Sequence, residues 1–98
     1  MKMKYEWNKI KAKENLRKHG VDFADAVISL EDENALTIED HDHNEQRFKT
    51  LGMSSFLNIL YVIHTEREFN RTRIISARKA DRQQMKHYYK GLNNDGRF

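Results

Sequence analysis

"LNILYVIHTEREFNRTRIISAR", residues 57–78, decides how this chain folds. Its first half, "LNILYVIHTER" (57–67), is apolar nearly throughout, as expected of a central strand covered on both faces. "EFN" (68–70) predicts a turn. "RTRIISAR" (71–78) predicts a second strand, because Ile74 and Ile75 suit a pleated, half-buried surface. Period two places Tyr61, Ile63, Thr65 and Arg67 on one face of the first strand, and Leu60, Val62, His64 and Glu66 on the other. In the second strand it groups Arg71, Arg73, Ile75 and Ala77 against Thr72, Ile74, Ser76 and Arg78. Burying an unpaired guanidinium is costly. A strand with arginines on both faces, leading straight into Lys79 and Arg82, therefore asks what those cations are for.

Working outward, "EQRFKTLGM" (45–53) alternates, with Phe48 and Thr50 on one side and Arg47, Lys49 and Leu51 on the other. "ALTIED" (35–40) puts Leu36 and Ile38 on one face, and "DHDHNE" (40–45) joins the two as a polar hairpin. Upstream, Lys2 to Glu6 predicts a short first strand. Asn8 is a good N-cap for a lysine-rich helix that stops at Gly20, with a thin apolar side of Ala12 and Leu16. Asp22 caps a second helix whose Phe23, Ala26, Val27 and Leu30 form an amphipathic stripe. Downstream, Asp81 and Gln84 make a D-x-x-Q capping box, and Met85, Tyr88, Tyr89 and Leu92 repeat at helical spacing. The order is β-α-α-β-β-β-β-α: one α+β domain over 1–92 with an antiparallel sheet, two N-terminal helices and one C-terminal helix, then a flexible tail at 93–98.

With 98 residues the chain suits one small domain. It has no cysteine, so neither disulfides nor thiolate metal sites contribute, which fits a reducing, cytoplasmic setting. No apolar run approaches the roughly 18–20 residues of a membrane span, and no apolar segment of a secretory signal follows the N-terminal lysines. Net charge is only +3, but it is unevenly placed. Residues 1–20 carry seven Lys/Arg and two acids, 21–45 carry nine acids and no Lys/Arg, and 66–90 carry eight Lys/Arg and three acids. Such a chain can fold to present a basic surface to a polyanion. A solvated surface laced with internal ion pairs is the plainer alternative.

Three stretches carry a family resemblance: "WNKIKAKENLRKHGVDF" (7–23), "DHNEQRFKTLG" (42–52) and "VIHTEREFNRTRIISARKA" (62–80). Together they resemble the BrnT toxins, small ribonucleases of bacterial type II toxin–antitoxin systems with a RelE-like fold. "EREFNRTR" departs from the Gly-Asp type of turn expected there, which bears on hairpin geometry. The resemblance implies a metal-independent endoribonuclease that inhibits translation and is neutralised by a BrnA-type antitoxin. Operator DNA is reached only through that antitoxin, and neither a cofactor nor a membrane is involved. The rival reading is a domain of the same fold that has lost catalysis and serves as an antitoxin-binding co-repressor.

Metal-free RNA cleavage needs a base for the ribose 2′-OH, cations for the dianionic phosphorane and an acid for the leaving 5′-oxygen. Arginine suits the second task because its planar fork matches phosphate oxygens. Guided by the resemblance, the expected catalytic set is His64, Glu66, Arg67, Arg73 and Arg78, with Lys49, Lys79 and Arg82 contacting RNA. Each has a plainer role. Arg73 can pair with Glu66 or Glu68 across the hairpin, His64 can be a hydrogen-bonded core histidine, and Lys49 can be a solvated lysine. Tyr88 and Tyr89 can stack on bases but sit on a packing stripe. "DHDHNE" looks like a metal site, yet consecutive loop residues seldom converge on one ion, and no metal is expected.

Overall fold

The computed structural model describes residues 3–41 and 45–91. The element order is β1 (Lys4–Glu6), α1 (Lys9–His19), α2 (Phe23–Leu30), β2 (Leu36–Asp40), β3 (Arg47–Met53), β4 (Ile59–Arg67), β5 (Arg71–Lys79) and α3 (Arg82–Gly91), with one 3-10 turn, Ser55–Leu57, between β3 and β4. Asp42, His43, Leu92 and the expected tail at 93–98 lie outside the described residues. No described helix is long and apolar enough to cross a membrane.

Helix ends form where short polar side chains reach orphan backbone groups. The Asn8 side chain accepts from the N–H of Ile10 and Lys11, and Gly20 ends α1 in the left-handed region at φ 69°. Asp22 accepts from Ala24 N–H to open α2. At α3 the capping box is reciprocal: Gln84 N–H donates to Asp81 Oδ1 at 2.8 Å, and Asp81 N–H donates to Gln84 Oε1 at 3.0 Å.

The sheet runs β1-β5-β4-β3-β2. β2 to β5 form the expected antiparallel meander, but β1 pairs in parallel with β5, Lys4 beside Arg71 and Glu6 beside Arg73. The sheet is therefore mixed rather than wholly antiparallel. Two helices intervene between β1 and the meander, so β1 approaches β5 as a separate strand and is not held to hairpin geometry. One face packs under α1 and α2, where Val21, Phe23 and Ala26 meet Leu60, Val62, Ile74 and Ala77. Each large apolar side chain buried there contributes about 1.5–3 kcal/mol. The other face is covered at one end by α3, where Tyr88 packs with Leu51 and Ile59. Tyr88 also donates its hydroxyl hydrogen to Asp32, whose carboxylate accepts from Met53 and Asn34 N–H as well. Burial pushes the Asp32 carboxyl up, but these three donors more than offset it and hold it below the ordinary value.

Two local expectations are corrected. First, α1 buries Asn15, while Leu16 is half exposed. β1 pairs with β5 only as far as Arg73, so the β5 edge beyond it has no strand neighbour. The Asn15 amide fills that place. It accepts from Ala77 N–H at 3.1 Å and donates to Ala77 O at 2.8 Å and Val21 O at 3.0 Å, as a strand peptide would. Second, β5 does not alternate strictly. Ser76 stands opposite Ile63 and Ile74 opposite His64, so Ile75 is an inserted residue, a β-bulge. The bulge buries Thr72, Ile74 and Ala77 together under the helices.

Candidate active site on the open face of the sheet

The bulge reshuffles the arginines. Strict alternation sets Arg73 and Arg78 on opposite faces, whereas the observed register puts both on the α3 face, with Ser76 between them. Three rows of residues cross this face. Leu51, Tyr61 and Arg78 form the row nearest α3; Lys49, Ile63 and Ser76 form the next; Thr65, Arg73 and Glu6 form the third. Same-face neighbours along a strand lie about 7 Å apart. Arg78 and Arg73 thus flank the Lys49 row from either side. Arg67 stands opposite Arg71 one row further on.

Arg78 is preorganised. Its guanidinium carbon sits 4.5 Å from the centre of the Tyr61 ring, and Nη1 donates to Gln84 Oε1 at 3.2 Å and Lys79 O at 3.1 Å. The oxygen that receives it is the one that caps α3, so strand exit and helix start together fix the side chain. Arg73 is half-buried and has no ion-pair partner among the described residues. The alternative pairing with Glu66 or Glu68 is not formed, and Glu66 lies on the other face; the carboxylate beside Arg73 is Glu6, whose Oε1 is 3.7 Å from Arg71 Nε. Thr65, directly across from Arg73, is 6% exposed, and its Oγ1 has no hydrogen-bond partner. Glu6 Oε1, on the other side of Arg73, is likewise buried without a hydrogen-bond partner.

His64 and Glu66 are brought together, but away from these cations. His64 is 4% exposed on the α1/α2 face. Its Nδ1 bonds Glu66 Oε1 at 2.9 Å and its Nε2 bonds Thr50 Oγ1 at 2.8 Å. Glu66 Oε2 accepts from Thr72 Oγ1 at 2.7 Å, and Thr50 Oγ1 meets Thr37 Oγ1 at 2.7 Å. This chain ties β2, β3, β4 and β5 across one face and lines a cavity of about 250 Å³ with Tyr5 and Phe48. Burial raises the Tyr5 hydroxyl pKa, helped by the Glu31 and Glu66 carboxylates. Both ring nitrogens of His64 are therefore engaged within this chain of hydrogen bonds. Lys79, opposite Leu60, turns away from Arg78 at the strand exit, and Arg82 is exposed on the first turn of α3. Arg67, Arg73, Arg78 and Lys49 therefore share one face, while His64, Glu66 and Lys79 lie on the other. Of the two tyrosines, Tyr88 is core, while Tyr89 is half exposed and stands edge-on to it.

Burial pushes the His64 pKa below its ordinary value, and the Glu66 carboxylate offsets this only in part. The unfolded chain then takes up a proton at higher pH than the folded one. Stability from this group is present above the unfolded value of about 6.5 and is lost as pH falls from there through the folded pKa. Urea midpoints should fall between pH 7.5 and 5.5, and His64→Gln should flatten that slope. A wild-type midpoint that rises on acidification would contradict the neutral buried imidazole.

Sequence reasoning missed Tyr61, Gln84, Glu6 and Thr65. Glu6 had no local signal, because only the parallel pairing of β1 brings it beside Arg73.

Comparison with known proteins agrees with this architecture. Residues 7–84 match the family model described as the ribonuclease toxin, BrnT, of type II toxin–antitoxin systems. The 1.1 Å crystal structure of the Brucella abortus ribonuclease toxin, BrnT, superposes with a TM-score of 0.62 at 28% sequence identity, covering 83% of this chain and 100% of that one. No curated protein matches.

Proposed function

Because the chain belongs to the BrnT family of ribonuclease toxins of type II toxin–antitoxin systems, we propose that it is itself an endoribonuclease that works without a metal ion on the α3 face of its sheet. The observation that carries this reading is the β5 bulge, which brings Arg73 and Arg78 to the same face on either side of Lys49. The scissile phosphate lies over Ile63 and Ser76. As the ribose 2′-oxygen attacks phosphorus and the bond to the 5′-oxygen breaks, negative charge grows on the non-bridging oxygens. Arg73 and Arg78 are aimed where that charge develops, with Lys49 and Arg67 guiding the strand. Solvent water takes the 2′-OH proton and supplies one to the departing 5′-oxygen, and the products are a 2′,3′-cyclic phosphate and a 5′-hydroxyl.

His64 and Glu66 have a positioning role here: from the opposite face they lock the register of β3, β4 and β5, and so the spacing of the arginines. An antitoxin of the BrnA type silences the enzyme by laying an acidic or amphipathic segment over the same cations. Operator DNA is contacted only through that partner. RNA cleavage in the cytoplasm would halt translation.

Purified protein should cut labelled RNA with excess chelator present. Activity that disappears on chelation and returns with one specific metal would overturn the metal-free mechanism. Induced expression separates this reading from a non-catalytic co-repressor, since only the enzyme should arrest growth.

A further inference from the structure

A second basic feature lies beyond the three rows, between α1 and the outer edge of β5. It is a groove of about 360 Å³ lined by Lys11, Asn15, Arg17, Lys18 and Ser76 among others, with Glu14 the one acid among its lining residues. The groove exists because β1 ends at Glu6 and α1 takes its place along the β5 edge, anchored by Asn15. Lys11 and Lys18 are four residues before and three after Asn15, so both fall on its side of the helix, one turn either way. Lys11, Arg17 and Lys18 have no ion-pair partner among the described residues.

Helix electrostatics explain only part of this charge. Arg17, Lys18 and His19 fall in the last turn of α1, where cations are favoured. Lys9 and Lys11 stand at the other end, where cations are disfavoured, and the first turn holds no acid. The N-terminal lysines therefore act against the helix that carries them. Ser76 links the groove to the open face. It lines the groove and, opposite Ile63, stands between the Arg73 and Arg78 rows. The bulge at Ile75 is what brings the strand's edge and its open face together at this point.

We propose that the α1–β5 groove is an extended binding site for single-stranded RNA, holding the phosphates of nucleotides that flank the scissile bond. This rests on the ribonuclease reading above. The strand leaves the arginine site over Ser76, crosses the β5 edge and runs along α1, with Lys11, Arg17 and Lys18 against successive phosphates. Recognition there is by backbone charge, so it adds affinity for longer RNA without choosing a sequence.

The test compares a dinucleotide spanning the cleaved bond with a twelve-nucleotide RNA carrying the same bond at its centre. Both are cleaved by wild type and by the Lys11→Gln, Lys18→Gln double variant across a salt series. Both lysines are exposed, so the variant is expected to fold; circular dichroism checks this. The ratio of kcat/KM, long RNA over short, should fall about tenfold in the variant. The salt slope on the long RNA should flatten by about 1.4, the value for two lost phosphate contacts on a single strand. An unchanged ratio and slope would overturn the site, as would weakened antitoxin binding with RNA cleavage intact, which would give the groove to the protein partner. If wild type cleaves neither RNA, the ribonuclease reading itself falls, and the groove proposal with it.

Discussion

Arg78→Ala is expected to lower RNA cleavage by about 10²–10³-fold, the usual loss when one preorganised donor to a developing anion is removed. It should also relieve growth arrest on induced expression. The side chain is held over Tyr61 and by Gln84 before substrate arrives, so little reorganisation is needed at the moment of reaction. Losing the ring contact should cost about 0.5–2 kcal/mol of stability. The larger core lies under α1 and α2, away from Arg78, and the variant should stay folded. Arg78→Lys keeps a charge over the ring but loses the fork that bridges phosphate and Gln84, so it should recover only part of the activity. A folded Arg78→Ala protein that cleaves RNA at the wild-type rate would remove Arg78 from the mechanism and leave the arginine rows without one of their two flanks.

Gly52→Ala should be the most destabilising glycine-to-alanine change among the described residues. Gly52 sits in β3, where the α2 backbone passes so close that an added Cβ would meet the carbonyl oxygen of Ser29 at 2.0 Å and its carbon at 2.8 Å. Neither atom is the end of a flexible side chain, so helix and strand must separate. Overpacking of this kind costs about 3 kcal/mol or more. At the usual 4–8 °C per kcal/mol for a domain this small, that is a fall in Tm of about 12 °C or more. Gly20→Ala is the matched control. It has open space around it and only a left-handed φ to strain, so it should cost about 1–2 kcal/mol. If Gly52→Ala melts within a few degrees of wild type, α2 does not approach β3 as closely as the structure has it.

Much of the fold was legible because it is written in short-range chemistry. Asn8, Asp22 and the Asp81–Gln84 pair mark helix ends through side chains that reach backbone groups two or three residues away, and Gly20 through its own left-handed backbone, whose N–H donates to Leu16 O. The alternation in β3 and β4 reports which side chains share a face, and both strands keep it. Family membership was legible for a different reason: its motifs sit in contiguous stretches. The resemblance pointed to His64 and Glu66 as catalytic without showing where their side chains go. Their two-residue spacing does put them on one face, but nothing local reveals that this is the face α1 and α2 bury.

The sequence by itself determined the element order, the helix ends, the antiparallel meander and the family. The tertiary structure decided which side chains share a face. A strand's alternation survives only while its pairing is regular, and the inserted Ile75 is set by the register against β4, which no window of β5 contains. That one residue moves Arg78 to the side of Arg73 and turns the groove over the β5 edge. Asn15 is the same kind of case: a polar residue on a thin apolar stripe is buried because an unpaired strand edge sixty-two residues away needs a donor and an acceptor. Long-range pairing supplies such partners, and only the folded chain shows them.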